Sequence, residues 1–504
     1  MDSIYEQITH ESIDLVLDHF EAGYSVARLA GELGYAPDVV QHMLACAYFD
    51  EGRIDKAEGL AREAVDKYAG PETHNLLLRC LLASPRDTKQ EFHDESVRWA
   101  ALYEDKMGSG FDQAKHGNRE PEKILRLGFL CDYLGDTLFG AFLAFPLFDR
   151  LRKGGAKVYL YNFGAPNSTC DDATDICRDV RALSSDALGQ QIHDDEIDIL
   201  FDLNGRLRVN NRYAAMIKRP APIQVSYMNL AGTSGLGCID YVVTDENAVP
   251  PEDDRYYTEQ VCRLPCGANG AFLLPGAQGA YKSEHHVPVG PSPVKKQGFV
   301  TFGSFNATFK LSDESLGAWA EILQRVPDSR LLLKSHFFAR RRMRERVEVY
   351  FAKQKIAPER ITIEEQSPFF DMWRRYGDVD IALDTMPYTG GSTTLHALWQ
   401  GVPVITRRGS DWRGRMPTSM LMSARLDELV TPDRDSYIEA AVALANDRKR
   451  LAAYRRGMRA RLRKAAYFDA DAVAGDMLAA CRKMWRDWLA HSSEPEAEVH
   501  SATG

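Results

Sequence analysis

Residues 378–406, with the sequence DVDIALDTMPYTGGSTTLHALWQGVPVIT, constrain the fold more than any other segment of the chain. An apolar stretch around Ile381 predicts a short buried strand, and the pair Gly390–Gly391 follows it as a turn. Residues 392–394 carry hydroxyl side chains and lie at the start of an amphipathic helix, which they are expected to cap. Free N–H groups and the helix dipole at such a start favour a phosphate group. An ordinary strand–helix unit with a well-capped helix has the same local pattern.

Strand-like and helix-like segments alternate from about residue 120 onward. The predicted strands are 123–131, 156–163, 197–203, 221–228, 298–304, 329–335, 360–365, 378–384 and 402–406. Residues 266–297 are rich in Gly and Pro, and we interpret them as a linker between two series of strands. The pattern predicts two doubly wound α/β domains, which bind ligands at the carboxyl ends of their strands.

The N-terminal residues 1–115 have helical periodicity throughout. Residues 38–71 match one tetratricopeptide-like unit, with a turn at Gly52 and Pro71 at its end. One repeat cannot bury its faces alone, so flanking helices are expected to complete a small solenoid. We expect this region to dock a protein acceptor and not to perform chemistry. The alternative is a helical cap that only packs on the catalytic body.

Length and composition exclude several classes of protein. The 504 residues have room for about three domains, which we place at 1–115, 116–275 and 276–488, with a disordered tail over 489–504. The net charge of −10 argues against a nucleic-acid binder. Nine cysteines without paired CxxC spacing indicate reduced cytosolic thiols and no metal site. The acidic N-terminus and the lack of a long apolar run predict a cytoplasmic protein with neither signal peptide nor membrane span.

Three long stretches resemble the catalytic region of the O-GlcNAc transferase/SPINDLY-like glycosyltransferases. They are SFNATFKLSDESLGAWAEILQRVPDSRLLLKS, the segment 378–406, and LFDLNGRLRVNNRYAAMIKRPAPIQVSYMNLAGTSGLGCIDYVVTD. The resemblance implies two Rossmann-like domains of the glycosyltransferase-B type, preceded by a short tetratricopeptide-like all-α domain. It also implies an inverting, metal-independent transferase that moves a sugar from a nucleotide sugar to Ser/Thr hydroxyls of a protein. The nucleotide sugar is then a substrate, and no cofactor is needed.

The same resemblance assigns roles to individual residues. Lys310 matches the family lysine that contacts the donor diphosphate, where a cation offsets the charge that builds on the leaving group. The candidate catalytic residues are Lys310, Asp136, Asp202 and Arg206, and the candidate donor-binding residues are Asn306, Gly391, Ser392, Thr393, Thr394, Arg375, Arg415 and Thr233. Arg415 is expected near the pyrophosphate and Arg375 in the segment that holds the base. For the neighbouring Phe369 and Phe370, simple helix packing is equally consistent with the sequence.

Two positions depart from the family pattern. Asp136 occupies the position of a family histidine, and Arg206 replaces another histidine in the motif DLNGRL, which keeps Asp202. A guanidinium cannot act as a base, but it suits a carboxylate or a phosphate. An acidic, nonulosonic sugar carried by CMP is therefore a second candidate donor, with flagellin as a candidate acceptor. The substituted histidines also fit a nucleotide- and partner-binding scaffold without activity, and a transferase acting on a small molecule or lipid would have the same two domains.

The Arg-rich run ARRRMRERVEVY at residues 339–350 has the spacing of an exposed helix face. Runs of like charge on a helix are usually solvated. We therefore predict that these arginines point into solvent.

Overall fold

The computed structural model describes residues 10–68, 70–104, 110–113, 116–132, 144–164, 169–205, 212–228, 232–267 and 287–492. The chain divides into two compact units. The first spans residues 1–99, 247–256 and 274–468, and the second spans 100–246, 257–273 and 469–504, as far as these ranges are described.

Helices fill the N-terminal region, which confirms the prediction of an all-α segment. They are α1 (His10–Glu21), α2 (Val26–Leu33), α3 (Pro37–Asp50), α4 (Ile54–Tyr68), α5 (Pro71–Ala83) and α6 (Lys89–Glu104). The pair α3 and α4 forms the tetratricopeptide-like unit, and Gly52 in the turn between them has a φ of +70°, a conformation that glycine adopts without strain. Pro71 does not end this unit, because it begins α5 at a position where no backbone N–H is needed.

The second unit contains a seven-stranded sheet, and helices connect several of its strands in the sequence. Its strands are β1 (Arg126–Cys131), β2 (Lys157–Asn162), β3 (Ile176–Asp179), β4 (Ile199–Asp202), β5 (Ile223–Ser226), β6 (Tyr241–Thr244) and β7 (Gln260–Arg263), and its intervening helices are α7 (Phe145–Lys153), α8 (Thr169–Ala173), α9 (Ser185–Asp194) and α10 (Tyr213–Met216). All described strand pairs are parallel, in the order β3-β2-β1-β4-β5-β6-β7. The strands β3, β6 and β7 were not predicted.

The first unit contains the other parallel sheet, in the order β10-β9-β8-β11-β12-β13. Its strands are β8 (Thr301–Ser304), β9 (Arg330–Lys334), β10 (Ile361–Glu364), β11 (Ile381–Leu383), β12 (Val404–Arg407) and β13 (Val430–Thr431), and its helices are α11 (Val294–Gln297), α12 (Asp313–Arg325), α13 (Arg341–Lys353), α14 (Phe369–Arg375), α15 (Ser392–Trp399), α16 (Met416–Ser423), α17 (Arg434–Asn446) and α18 (Arg448–Leu462). Five of these strands overlap the predicted ones. Together the two sheets confirm the predicted pair of Rossmann-like domains.

The last described helix, α19 (Ala470–His491), packs into the second unit. Its buried residues Val473, Met477, Cys481 and Trp485 join the core around β1 and β4. The predicted boundary at residue 488 assigned this helix to the C-terminal domain, but its apolar face completes the core of the preceding one. None of the described helices is both long and apolar enough to cross a membrane.

The arginines of residues 339–350 do not form a solvated face, because Arg341 alone among them is exposed, so the prediction was wrong for the others. Arg340 is 2% exposed and donates two hydrogen bonds to Asp14 of α1, at 2.8 and 3.1 Å. Arg342 donates to Glu51, at 2.9 Å, and to Glu21, at 3.0 Å. These charges attach the N-terminal helices to α13, within the first unit.

Candidate active site

The predicted phosphate-binding residues lie where the strand order of the first unit reverses. This point falls between β8 and β11, and the loops that follow these two strands lie side by side. A small cleft there is lined by Asn306, Tyr376, Asp384, Thr393 and Thr394, among others. Such a reversal is where open α/β sheets bind their ligands.

Asp384 is the centre of this site, and the sequence argument did not single it out. The carboxylate is 2% exposed and accepts hydrogen bonds from the backbone N–H of Gly390, at 2.7 Å, and from the hydroxyl of Thr406, at 2.7 Å. The amide of Asn306 also donates to it, at 3.4 Å. Burial raises the pKa of Asp384 to about 6. A carboxylate directly after a buried strand and before a glycine turn was the available signal.

The glycine turn is held by side chains that the sequence assigned to helix capping. Helix α15 has Gly391 as its N-cap and no side-chain capping bond. The Thr393 hydroxyl donates instead to the Asn306 side chain, at 2.8 Å, and the Thr394 hydroxyl donates to the Gly390 carbonyl, at 3.0 Å. The predicted capping by these hydroxyls is therefore wrong, because Thr393 joins the two loops and Thr394 bonds back to the glycine turn before its own helix.

Gly390 cannot carry a side chain in this arrangement. A Cβ atom there would lie 2.4 Å from the Thr393 hydroxyl oxygen and 3.0 Å from the Asn306 side-chain oxygen. Ser392, next to Thr393, is exposed and begins α15. The turn thus packs tightly against α15. The N-terminus of α15 supplies a partial positive charge beside the turn.

Lys310 reaches this turn from the loop after β8. It ends the 3-10 turn Thr308–Lys310, is half-buried, and donates to the Thr389 carbonyl at 2.7 Å. Its ammonium also lies 4.3 Å from the centre of the Tyr388 ring. Burial lowers the pKa of Lys310 to about 8, and the charge of Asp384 opposes this shift. Lys310 thus brings a desolvated ammonium, with two further N–H bonds to offer, to the glycine turn.

The two predicted donor-binding arginines are both engaged by protein groups. Arg375 pairs with Glu364, with its shortest contact at 2.6 Å, and with Asp378, at 2.6 Å. Hydrogen bonding to Glu364 raises the pKa of Arg375. Arg415 donates to the Gly409 carbonyl at 2.9 Å. Their contact with a donor stays a prediction.

Asp202 lies at the reversal of the other sheet, between β1 and β4, where ligand loops are again expected. Its buried carboxylate accepts the backbone N–H groups of Asn204 and Gly205, both at 3.0 Å. Burial raises the pKa of Asp202. Asn204 in turn accepts the Asp132 N–H at 3.1 Å, which ties the loop after β4 to the end of β1. Asp202 therefore shapes this loop.

Thr233 is fully buried, and its hydroxyl donates to the Glu259 carboxylate at 2.7 Å. This contact holds the loop together, and a role in donor binding stays a prediction. The remaining two predicted catalytic residues, Asp136 and Arg206, lie outside the described residues.

Phe369 and Phe370 pack at the start of α14. The Phe369 ring lies 4.7 Å from that of Trp373 and 5.6 Å from that of His396. These contacts are those expected from simple helix packing. Among the described residues, no group of three or more His, Cys, Asp or Glu side chains is placed to hold a metal ion.

Comparison with known proteins agrees with this geometry. Residues 173–269 and 295–477 match the model of glycosyl transferase family 41. A relative from Solanum lycopersicum, a probable UDP-N-acetylglucosamine--peptide N-acetylglucosaminyltransferase SPINDLY, is 34% identical over 61% of this chain and 32% of its own length. The Arabidopsis thaliana SEC protein, with the same probable activity, is 30% identical over 72% of this chain and 37% of its own length. The chain thus spans about a third of the length of these relatives.

A solved structure is similar over nearly the whole chain. It is an O-GlcNAc transferase of Thermobaculum terrenum, a lysine-to-methionine mutant, with a TM-score of 0.82 and 29% sequence identity. The likeness covers 96% of this chain and 92% of that one. Since the family model also matches more than half of its residues, the chain belongs to glycosyl transferase family 41.

Proposed function

We propose that this chain is a glycosyltransferase that moves a sugar from a nucleotide-sugar donor to Ser/Thr hydroxyls of a protein. The observation that carries the proposal is the meeting of Lys310 with the Gly390 turn and the start of α15, at the reversal of a parallel sheet. A cation, a glycine turn and a helix N-terminus together suit the diphosphate of a nucleotide sugar. The named activities of the relatives support the same chemistry.

The proposed reaction is a single displacement at the anomeric carbon. The acceptor hydroxyl oxygen forms a bond to this carbon, the bond to the donor phosphate oxygen breaks, and the nucleotide leaves with the electron pair. One displacement inverts the configuration at the carbon. The hydroxyl proton passes to a base or to solvent. Lys310 and the N-terminus of α15 stabilise the negative charge that develops on the leaving phosphate.

We propose that no metal ion takes part, because Lys310 and α15 supply positive charge at the phosphate site. EDTA is then expected to leave the rate of transfer unchanged. Loss of turnover that manganese restores would contradict this part of the proposal.

UDP-N-acetylglucosamine is the first donor to test, since it is the donor in the names of the relatives. A CMP-linked acidic sugar is the second, because Arg206 offers a guanidinium where the family has a histidine. Both are substrates in this proposal, and no cofactor is required.

The test uses purified chain, each labelled donor and a library of Ser/Thr peptides matched with Ala-substituted peptides. The expected result is label on the Ser/Thr peptides alone. Lys310→Ala is expected to reduce the rate by about 10²–10³-fold, the usual loss when one charge-stabilising donor is removed. Lys296→Ala, which removes an exposed lysine of α11, is the control. Equal rates for Lys310→Ala and the unmodified chain would refute the site, and nucleotide binding without transfer would favour a scaffold without activity.

We also propose that the acceptor protein docks on the N-terminal helices. A groove of about 630 Å³ there is lined by Phe20, Tyr48, Leu60 and the charged residues Glu21, Arg53, Asp55, Lys56 and Glu63. Gly59 of α4 lines the same groove, and a Cβ atom on it would meet nothing within 4 Å. Gly59→Tyr is therefore expected to fill the groove without unfolding α4. It should reduce modification of a protein acceptor while UDP binding is unchanged. Gly31→Tyr on α2 is the control, and it should change neither acceptor modification nor UDP binding.

A further inference from the structure

Phe49 of helix α3 lies against the turn that carries Lys310. Its ring is 3% exposed and stacks on the ring of Phe309, with centroids 5.0 Å apart and planes 20° apart. Phe309 in turn meets the edge of the Tyr388 ring at 5.6 Å. The Lys310 ammonium lies over Tyr388, so a continuous row of aromatic rings leads from the N-terminal helices to the phosphate site.

The turn after α3 contacts the same segment through its backbone. A Cβ atom on Gly52 would lie 3.0 Å from the carbonyl oxygens of both Thr308 and Leu311, so the two backbones are in close contact. Arg346 of α13 then joins them, because its guanidinium donates to the Glu51 carbonyl at 2.6 Å and to the Leu311 carbonyl at 3.1 Å. Three separate contacts thus fix the Lys310 turn, residues 308–311, to the end of α3.

A second, independent contact reaches the glycine turn from residues 81–88. Arg413 is 2% exposed and donates to the Leu81 carbonyl and, at 3.3 Å, to the Thr88 hydroxyl. The carbonyl of Arg413 accepts the N–H of Thr389 at 3.0 Å. Thr389 is the residue whose own carbonyl accepts the Lys310 ammonium. The N-terminal helices therefore support both partners of that hydrogen bond.

We infer that the N-terminal helices are part of the donor site, and that Phe49 is a positioning residue which holds Lys310 at the phosphates. This inference rests on the proposed function, since it requires that Lys310 bind the donor. It extends the role of the helical region beyond acceptor docking. A displacement of about 1 Å in such a group is enough to reduce a rate by about 10²-fold.

The test replaces Phe49 with Leu, which keeps an apolar side chain but loses the ring stack. Leu44→Ala is the matched control, because Leu44 lies on the same helix and is 1% exposed. Phe49→Leu is expected to weaken UDP binding and to reduce kcat/KM by at least about tenfold, the size of effect expected from a modest displacement of Lys310. Leu44→Ala should reduce the melting temperature by at least as much without changing UDP affinity in the folded protein. If both variants reduce UDP affinity in proportion to their lost stability, Phe49 has only a structural role and the inference fails.

Two further measurements separate this inference from the proposed function. In a Lys310→Ala background, Phe49→Leu is expected to have no additional effect on UDP binding, because its action passes through Lys310. Hydrogen exchange needs no ligand, and Phe49→Leu should speed exchange at residues 308–311 while Leu44→Ala does not. Unchanged exchange there would overturn the positioning role. Equal UDP binding by the unmodified and Lys310→Ala proteins would instead refute the proposed function.

Discussion

The Lys310 ammonium donates to the Thr389 carbonyl across 2.7 Å and so joins the loops that follow β8 and β11. These loops flank the reversal of strand order in the first unit. Because the carbonyl takes one of three N–H bonds, the ammonium has two left for a phosphate in the same place. The ability of the Lys310 ammonium to bind a phosphate therefore depends on the charge and burial of the groups around it.

Donor binding should weaken as the pH rises through about 8. Burial lowers the pKa of Lys310 to about 8, so the ammonium is charged below this pH and neutral above it. A neutral amine loses its attraction for a diphosphate. Calorimetric titration with UDP between about pH 6.5 and 9.5 should show the decrease. Lys310→Arg keeps its charge over the whole range, so its affinity should not follow this profile, and an identical decrease in that variant would assign it to another group.

Replacing Asp384 with Asn should move the same profile to lower pH. The Asp384 charge opposes the lowering of the Lys310 pKa, so its removal should take that pKa further below 8. UDP affinity is then expected to fall more at pH 8 than at pH 7. Asp380→Asn is the control, because Asp380 is also 2% exposed but precedes β11, at the other end of that strand.

The same substitution has a predictable effect on stability. Burial raises the pKa of Asp384 from 3.8 to about 6, so the folded chain takes up a proton more readily than the unfolded one. The stability from this group is therefore greatest below pH 3.8 and is lost as the pH rises to 6. Asp384→Asn should accordingly keep or raise the melting temperature at neutral pH. A large decrease would mean that the carboxylate hydrogen bonds outweigh its desolvation.

Gly390→Ala should disrupt the turn itself. The added Cβ would overlap the Thr393 hydroxyl and crowd Asn306, and both groups are held by hydrogen bonds. We expect loss of UDP binding and a lower melting temperature. The free energy of unfolding should fall by about 1–3 kcal/mol, as for other cases of overpacking. Gly377→Ala is the control, since a Cβ at Gly377 meets nothing within 4 Å. Unchanged UDP affinity in Gly390→Ala would show that the donor binds elsewhere.

The sequence predicted those parts of the site that short segments determine. Lys310, the glycine turn and α15 each follow a predicted strand, and the parallel order of the strands brings them to one edge. It did not predict the hydrogen bonds between the loops, because the Thr393 hydroxyl meets Asn306 across 87 positions of the chain. The role of Asp384 was missed for the same reason, since its partner Thr406 lies beyond α15. Arg340 was placed in solvent because its partner Asp14 lies 326 positions away.

Arg340→Ala should strongly destabilise the first unit. Arg340 is 2% exposed, and its loss leaves Asp14, which is 9% exposed, without the guanidinium that donates to it. Removing one partner of a buried ion pair typically costs about 3–5 kcal/mol. Arg341, next to it, pairs with Glu345 on the surface, and its side chain is 61% exposed. Arg341→Ala should cost less than about 1 kcal/mol, as surface pairs do. Urea unfolding measures the free energy of unfolding of both variants. Equal losses would mean that Arg340 contributes no more to stability than a solvated arginine, as its spacing in residues 339–350 suggested.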